Sequence, residues 1–175
     1  SGPWPRRSLL ELIEQSTGIA VESCPDADSL RSALQTAGIH IDGAPKLGRG
    51  ALIDQLYKKT VRPSITQPTF ITSHPVDLSP LARRNDEEPT ISDRFQLVIH
   101  GWEVINAYSE LVDPIDQRQR LEEQAKLNAE GDDEAMMMDE DYLLAMEHGM
   151  PPISGWWMGN DRIVALLCVA VILLH

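Results

Sequence analysis

Phe95 to Glu110 reads FQLVIHGWEVINAYSE, and this stretch decides the architecture. Apolar runs on either side of His100-Gly101 predict two strands folded on a two-residue turn. The second strand ends in polar residues that a core does not request. Asn106, Tyr108 and Glu110 sit two apart, so a strand points all three to one face. An amide, a phenol and a carboxylate converging there suit a small cationic ligand better than packing.

Upstream of the hairpin, Thr69 to Thr72 is a β-prone run of single-strand length, and His74-Pro75 bends the chain away. His74 reads as a structural histidine. Arg83-Arg84-Asn85 followed by Asp86-Glu87-Glu88 reads as a solvated loop with balanced charge. Three helices precede Arg62-Pro63-Ser64. The first, LLELIEQST, has Ser8 at its N-cap and Glu11 three residues on, with Gly18 as its stop. The second opens on Asp26 or Asp28 and closes at Gly38. The third runs from Arg49 to Thr60, with Leu52, Ile53, Leu56 and Tyr57 at helical spacing. None of the three carries chemistry of its own.

Downstream, Asp113-Pro114 caps a polar helix reaching to about Glu130. Its apolar stripe is thin (Ile115, Leu121, Ala125), which predicts a surface position. A second helix spans Asp139 to Met146 and stops at Gly149, before Pro151-Pro152. The acidic residues around Asp132 and Asp139 read as helix caps and dipole partners rather than a metal site. Next, Ser154-Gly155 and two tryptophans lead into Met158-Gly159-Asn160-Asp161-Arg162. A strand entering a helix through glycines, with an arginine at the helix start, can hold a phosphate.

The 175 residues suffice for one domain with a real core, or for part of a larger one. A net charge of −12 argues against a broad basic surface for nucleic acid. Cys24 and Cys168 form no metal or redox motif, which points to a reducing compartment. The tail from Ile163 to Leu174 is continuously apolar, yet shorter than the roughly 20 residues of a membrane span, and reads as a buried helix or strand. No membrane association is expected. Ser1-Gly2-Pro3-Trp4-Pro5 reads as the middle of a longer chain.

Four strings resemble, in order and spacing, the class II lysyl-tRNA synthetases. They are PTFITSHPVDLSPLARRN from Pro68, DRFQLVIHGWEVINAYSELVD from Asp93, EEQAKLNAEGDDEAMMMDEDYLLAMEHGMPP from Glu122 and GWWMGNDRIVALL from Gly155. The resemblance is strong from Gln67 to Leu167 and weaker, though collinear, from Trp4 to Thr60. It implies an α+β fold, part of a catalytic domain whose antiparallel sheet is flanked by helices. Residues 1–62 would be its helical segment, and 63–175 the sheet and helices that carry the lysine site and the third signature motif.

The same resemblance implies a cytoplasmic ligase that activates lysine with ATP to lysyl-adenylate and passes the lysyl group to tRNA(Lys), as a homodimer in full-length form. Glu110 falls where the family's carboxylate receives the lysine ammonium, Tyr108 at the neighbouring aromatic and Asn106 at the amide that helps hold the amino acid. Glu103 matches a carboxylate that binds Mg²⁺ with ATP. Arg162 matches the third motif's arginine, which holds the γ-phosphate, and Gly155 and Gly159 match glycines of that nucleotide-binding motif.

The sequence also departs from the family. Gln96 stands where many members have a second metal-binding carboxylate, leaving Mg²⁺ fewer charged ligands. Trp157 replaces a usual glycine, where it could fill the adenine pocket, and Asn160 a usual aliphatic residue. After Leu167 the likeness ends, which reads as a truncated or frameshifted frame. The family's anticodon-binding domain and its first two motifs would precede Trp4, so the isolated chain is expected to be inactive. Two rival readings share these residues: a paralogue ligating a lysine-like amino acid to a protein such as an elongation factor, and a non-catalytic binding module. A regular turn at His100-Gly101 also puts Glu103 and Asn106 on opposite faces, whereas the family gathers them around one pocket. A β-bulge between Glu103 and Asn106 is therefore expected.

Overall fold

The computed structural model describes residues 3–133 and 135–168. In chain order the elements are β1 (Arg6–Ser8), α1 (Leu9–Thr17), α2 (Ala27–Thr36), α3 (Arg49–Thr60), β2 (Thr69–Thr72), β3 (His74–Pro75), β4 (Ile91–Ser92), β5 (Arg94–Ile99), β6 (Trp102–Ser109), α4 (Pro114–Ala129), α5 (Glu140–Glu147), β7 (Ser154–Met158) and α6 (Asn160–Cys168).

The helix starts follow local chemistry. Ser8 caps α1 by accepting from the Glu11 N–H at 3.4 Å, and Gly18 closes that helix in the left-handed region. The reciprocal capping box forms at α2 instead, where Asp26 and Ser29 satisfy each other's backbone N–H. Asp113 and Asp139 cap α4 and α5. Gly48 heads α3 without a side chain of its own, and its N–H donates to the buried Asp132 carboxylate at 2.9 Å. Asp132 and Asp139 thus act at helix N-termini, as the dipole argument requires.

The main sheet runs β1-β2-β5-β6-β7, antiparallel except for the parallel pair β1–β2. β3 and β4 form a separate short ladder, and the bend into it falls at Ser73, with φ 56°. His100 and Gly101 both have positive φ, 51° and 74°, the geometry of a type I′ hairpin turn. The register then slips. Val98 faces Glu103 while Leu97 faces Ile105, so Val104 is an extra residue in β6. That is the expected bulge. Directly opposed residues share a face, so Glu103, Asn106 and Tyr108 now lie on the side of Val98, Gln96 and Arg94.

One core joins helices to sheet. Leu9, Ile13, Leu30, Leu52, Ile53 and Leu56 pack with Ile71 of β2 and Val98 of β5, all at 1% exposure or less. Each such side chain contributes about 1.5–3 kcal/mol by leaving water. Ile71 is opposite Gln96, so the helical layer covers the β2–β5 side of the polar face and leaves its β6–β7 side open. Arg49 ties the layers together: it donates to the carbonyls of Cys24 (2.6 Å) and Val21 (3.2 Å) and pairs with Asp77.

Three expectations are corrected. The α4 stripe is not Ile115, Leu121 and Ala125, for Ile115 is 70% exposed while Gln117 and Arg120 are buried beside Leu121. Polar side chains turn inward because the neighbouring loop offers carbonyls: Gln117 donates to Pro80, and Arg120 to Ala82 at 2.7 Å. Arg84 is not balanced within its own loop but donates from Nε and Nη2, one edge of its guanidinium, to the Asp116 carboxylate of α4. The apolar tail forms α6 as far as Cys168, but it is not buried. Val164 and Leu167 are exposed, and only Ala165 is covered, because no other described element packs on that side. The rest of the tail, 169–175, lies outside the described residues.

Two consequences are measurable. A Cβ on Gly50 would lie 2.3 Å from the Asp77 carbonyl oxygen, so Gly50→Ala should cost about 1–3 kcal/mol in urea unfolding by forcing α3 off the loop. Arg120 and Arg84 hold the Asp116 carboxyl down at about 2, below its unfolded value of 3.8. The charged pair therefore stabilises the fold above 3.8, and this is lost as pH falls towards 2. Asp116→Asn should lower the thermal midpoint at pH 7, with the gap from wild type closing between pH 4 and pH 2.

Candidate functional site

The open half of the polar face is built by β6, β7 and the residue following β6. Glu110 continues the alternation of Asn106 and Tyr108 past the end of β6, and its backbone is pinned on both sides. Its N–H donates to Ile153 at 3.0 Å, and the flanking residues bond to Leu81 and Arg83. A Cβ on Gly155, opposite Tyr108 in β7, would stand 2.4 Å from Glu110 Oε1. Gly155 thus makes room for the carboxylate. Burial raises the Glu110 carboxyl above its ordinary value, and among the described residues no cation pairs with it.

Two tyrosines border it. Tyr108 is raised first by burial and then by the Glu110 charge, with Arg94 opposing. Tyr142, in the first turn of α5, is raised by burial and then by Glu110 and Tyr108. The Glu110 and Tyr108 charges thus act on a side chain of α5. Asn106 is held by Arg94, whose Nε donates to Asn106 Oδ1 at 3.0 Å. The amide NH₂ is left as the group that can donate to a ligand. Arg94 itself is spent on Ser79 Oγ (2.8 Å) and the Leu78 carbonyl (3.2 Å).

Arg94 and Tyr142 belong to the site although the sequence reading does not single them out. Strand alternation is enough to find the first, since Arg94 stands two residues before Gln96 on β5. Tyr142 comes from a helix distant in sequence, and no local pattern points to it.

At the other end of the face, Gln96 Nε2 donates to Glu103 Oε2 at 2.9 Å. Behind Gln96 lies the imidazole of His74, fully buried and pushed down to about 3 by burial and the nearby Arg94 charge. Among the described residues, neither His74 ring nitrogen nor Gln96 Oε1 has a partner in hydrogen-bond geometry. Here the donor set does not suit a divalent cation. One carboxylate is engaged by an amide that presents N–H rather than oxygen, and among the described residues no group of three or more His, Cys, Asp or Glu side chains could hold a metal.

Arg162, in the first turn of α6, donates to the Glu103 carbonyl, and its guanidinium lies 5.5 Å from the Trp157 ring centroid. Trp157 is opposite Asn106 in the ladder, so its indole stands on the polar face between Asn106 and Arg162. Gly159, whose N–H donates to the Val104 carbonyl, is packed against Arg162 and Trp157: a Cβ there would be 3.2 Å from each. The face therefore brings Glu103, Gln96, Asn106, Tyr108, Glu110, Gly155 and Trp157 together, with Arg162 at its margin. A second cavity lies between α3 and α4, and Arg94 lines it from the side of the sheet. Of its other arginines, Arg49 is paired with Asp77, and Arg84 and Arg120 with Asp116.

Residues 2–172 match the family model described as class II tRNA synthetases (D, K and N). The chain is 47% identical over 165 residues to the lysine–tRNA ligase of Moorella thermoacetica, covering 94% of this chain and 33% of that protein. It is 44% identical, over 94% of its length, to the lysine–tRNA ligases of Porphyromonas gingivalis strain W83 and of Synechococcus sp., of which it spans 28% and 33%. The chain thus spans about a third of the length of these curated relatives. Among the described residues no helix is long and apolar enough to cross a membrane. With a sheet of the expected α+β kind and a family match along nearly its whole length, the chain belongs to the class II tRNA synthetase family, and the relatives named here are lysine–tRNA ligases.

Proposed function

We propose that this chain is the lysine-recognising part of a lysine–tRNA ligase. The observation that carries this reading is Glu110, a desolvated carboxylate without a cation partner among the described residues, bordered by Tyr108, Tyr142 and Gly155 and in line with the Asn106 amide. An ammonium that enters this corner pairs with a partly buried carboxylate, whereas an uncharged analogue leaves it unpaired. The Asn106 NH₂, fixed by Arg94, donates to the amino acid's carboxylate end. The reaction that goes with this reading belongs to a full-length ligase: the lysine carboxylate attacks the α-phosphate of ATP, pyrophosphate leaves, and a tRNA(Lys) hydroxyl then takes the lysyl group as AMP leaves. Homodimer formation and a cytoplasmic setting belong to the same proposal. This chain supplies the selection of lysine. Formation of lysyl-adenylate by the 175-residue chain alone is not expected: Arg162 gives one N–H to the Glu103 carbonyl and lies against Trp157, and Gln96 donates to the Glu103 carboxylate.

Calorimetry on the chain tests the reading. Lysine should bind, and norleucine should bind roughly tenfold to a hundredfold more weakly, the cost of an unpaired buried charge. Glu110→Gln should lose lysine binding by a similar factor. Equal binding of lysine and norleucine would sink the proposal, as would a lysine-dependent ATP–pyrophosphate exchange signal for the part that expects no adenylate.

Glu110 also predicts a pH signature. Its carboxyl is raised in the fold above its ordinary 4.5, so the charged form disfavours folding. That penalty is absent below 4.5 and complete once pH has risen past the folded value. Glu110→Gln should therefore raise the urea midpoint at pH 7 and leave it unchanged at pH 4.

A further inference from the structure

The polar face is unevenly finished. At the Glu110 end a carboxylate, two phenols and an oriented amide stand ready, with nothing of the described chain neutralising the charge. At the Glu103 end the side chains that would meet a triphosphate and its cation contact one another instead. The Glu103 carboxylate accepts from Gln96. Arg162 gives one N–H to the Glu103 carbonyl and lies against the Trp157 indole. The same indole, opposite Asn106, occupies the surface between the two ends.

We infer that lysine binding in this chain is uncoupled from magnesium and nucleotide: Glu110, Tyr108 and Asn106 take the amino acid, while the Gln96–Glu103 hydrogen bond and Trp157 over Arg162 close the nucleotide half. The inference rests on the lysine reading above and goes beyond it. Coupling between two ligands on one face requires that each change the other's affinity, and the factor is reciprocal. A half already satisfied by its own side chains gives a second ligand no such differential contact. Gln96 matters through charge. A glutamate there would place two carboxylates side by side, an arrangement that favours a divalent cation and is strained without one. Trp157 matters through space. Its removal clears the sheet surface beside Asn106 and uncovers the guanidinium face of Arg162.

Calorimetric titration of the 175-residue chain, Gln96→Glu, Trp157→Gly and the double variant with lysine and with Mg–ATP tests this. Wild type should bind lysine with an affinity changed by Mg–ATP less than about twofold, and the double variant should bind Mg–ATP about tenfold or more tightly than wild type while keeping its lysine affinity. Magnesium chloride alone should raise the thermal midpoint of Gln96→Glu and leave that of wild type unchanged. Retained lysine binding reports that a variant is folded, and the single variants carry the test if the double variant is not. Wild type binding Mg–ATP as tightly as the variants overturns the inference, as does a folded variant that gains neither nucleotide nor magnesium affinity. Lysine affinity that shifts about tenfold with Mg–ATP in wild type overturns the inference alone. Absence of lysine binding by folded wild type overturns the lysine reading and the inference with it.

Discussion

The site depends on one extra residue. Val104 interrupts the β5–β6 ladder, and because side chains alternate with a period of two, one unpaired residue exchanges the faces of everything on one side of it. Without the bulge Glu103 would point away from Asn106, Tyr108 and Glu110, and the two ends of the site would lie on opposite surfaces of the sheet. The turn cannot supply this correction, since His100-Gly101 is a regular two-residue hairpin whose twist already matches its strands. The slip therefore falls in the strand, beside the residues it reorients. The Val104 carbonyl accepts from Gly159, so the distortion is also anchored to the start of α6, which carries Arg162.

What holds the polar face open is the helical layer behind its other half. Ile71 and Val98 are sealed under α1 and α3, which fixes β2 and β5. That cluster reaches β2 and β5 through Ile71 and Val98 and includes no residue of β6 or β7. The seal needs close approach. Gly50 lets α3 meet the Asp77 backbone, and Arg49 beside it fills the remaining carbonyls of the first loop. Arg94 links the two halves. It is buried far enough that desolvation lowers its pKa, yet it is held by a carbonyl, a hydroxyl and the Asn106 amide rather than by a carboxylate. A cation so placed orients the amide, and its charge also opposes the raising of Tyr108.

Much of this is legible in the residues themselves. Capping chemistry locates α1, α2 and α4, and alternation on β6 is enough to place Asn106, Tyr108 and Glu110 together. The bulge is legible only as a contradiction, between a regular turn and a resemblance that gathers Glu103 with the others. The inward side of α4 is not legible. Gln117 and Arg120 turn towards carbonyls of a loop some 37 and 38 residues earlier, and such partners leave no trace in local periodicity. Gly155 reads as a phosphate glycine from its motif. A Cβ there would meet Glu110, just past the end of β6 and distant in sequence, and a one-dimensional motif cannot report that.

The Gln96–Glu103 pair shows how a small chemical difference sets what a strand end offers a ligand. An amide and a carboxylate have nearly equal volume, so either fits opposite Asn106 in the ladder. Their charge and donor pattern differ. A carboxylate offers only acceptors, whereas an amide turned by its nitrogen offers a donor, and that donor meets the Glu103 oxygen a cation would need. The hydrogen bond to a charged acceptor is worth about 1.5–3 kcal/mol, so a cation has to displace it as well as shed its own water. Glu110, past the far end of β6, is not part of that exchange. The sheet carries both groups on one surface, but what each prefers to bind is set by its own neighbours.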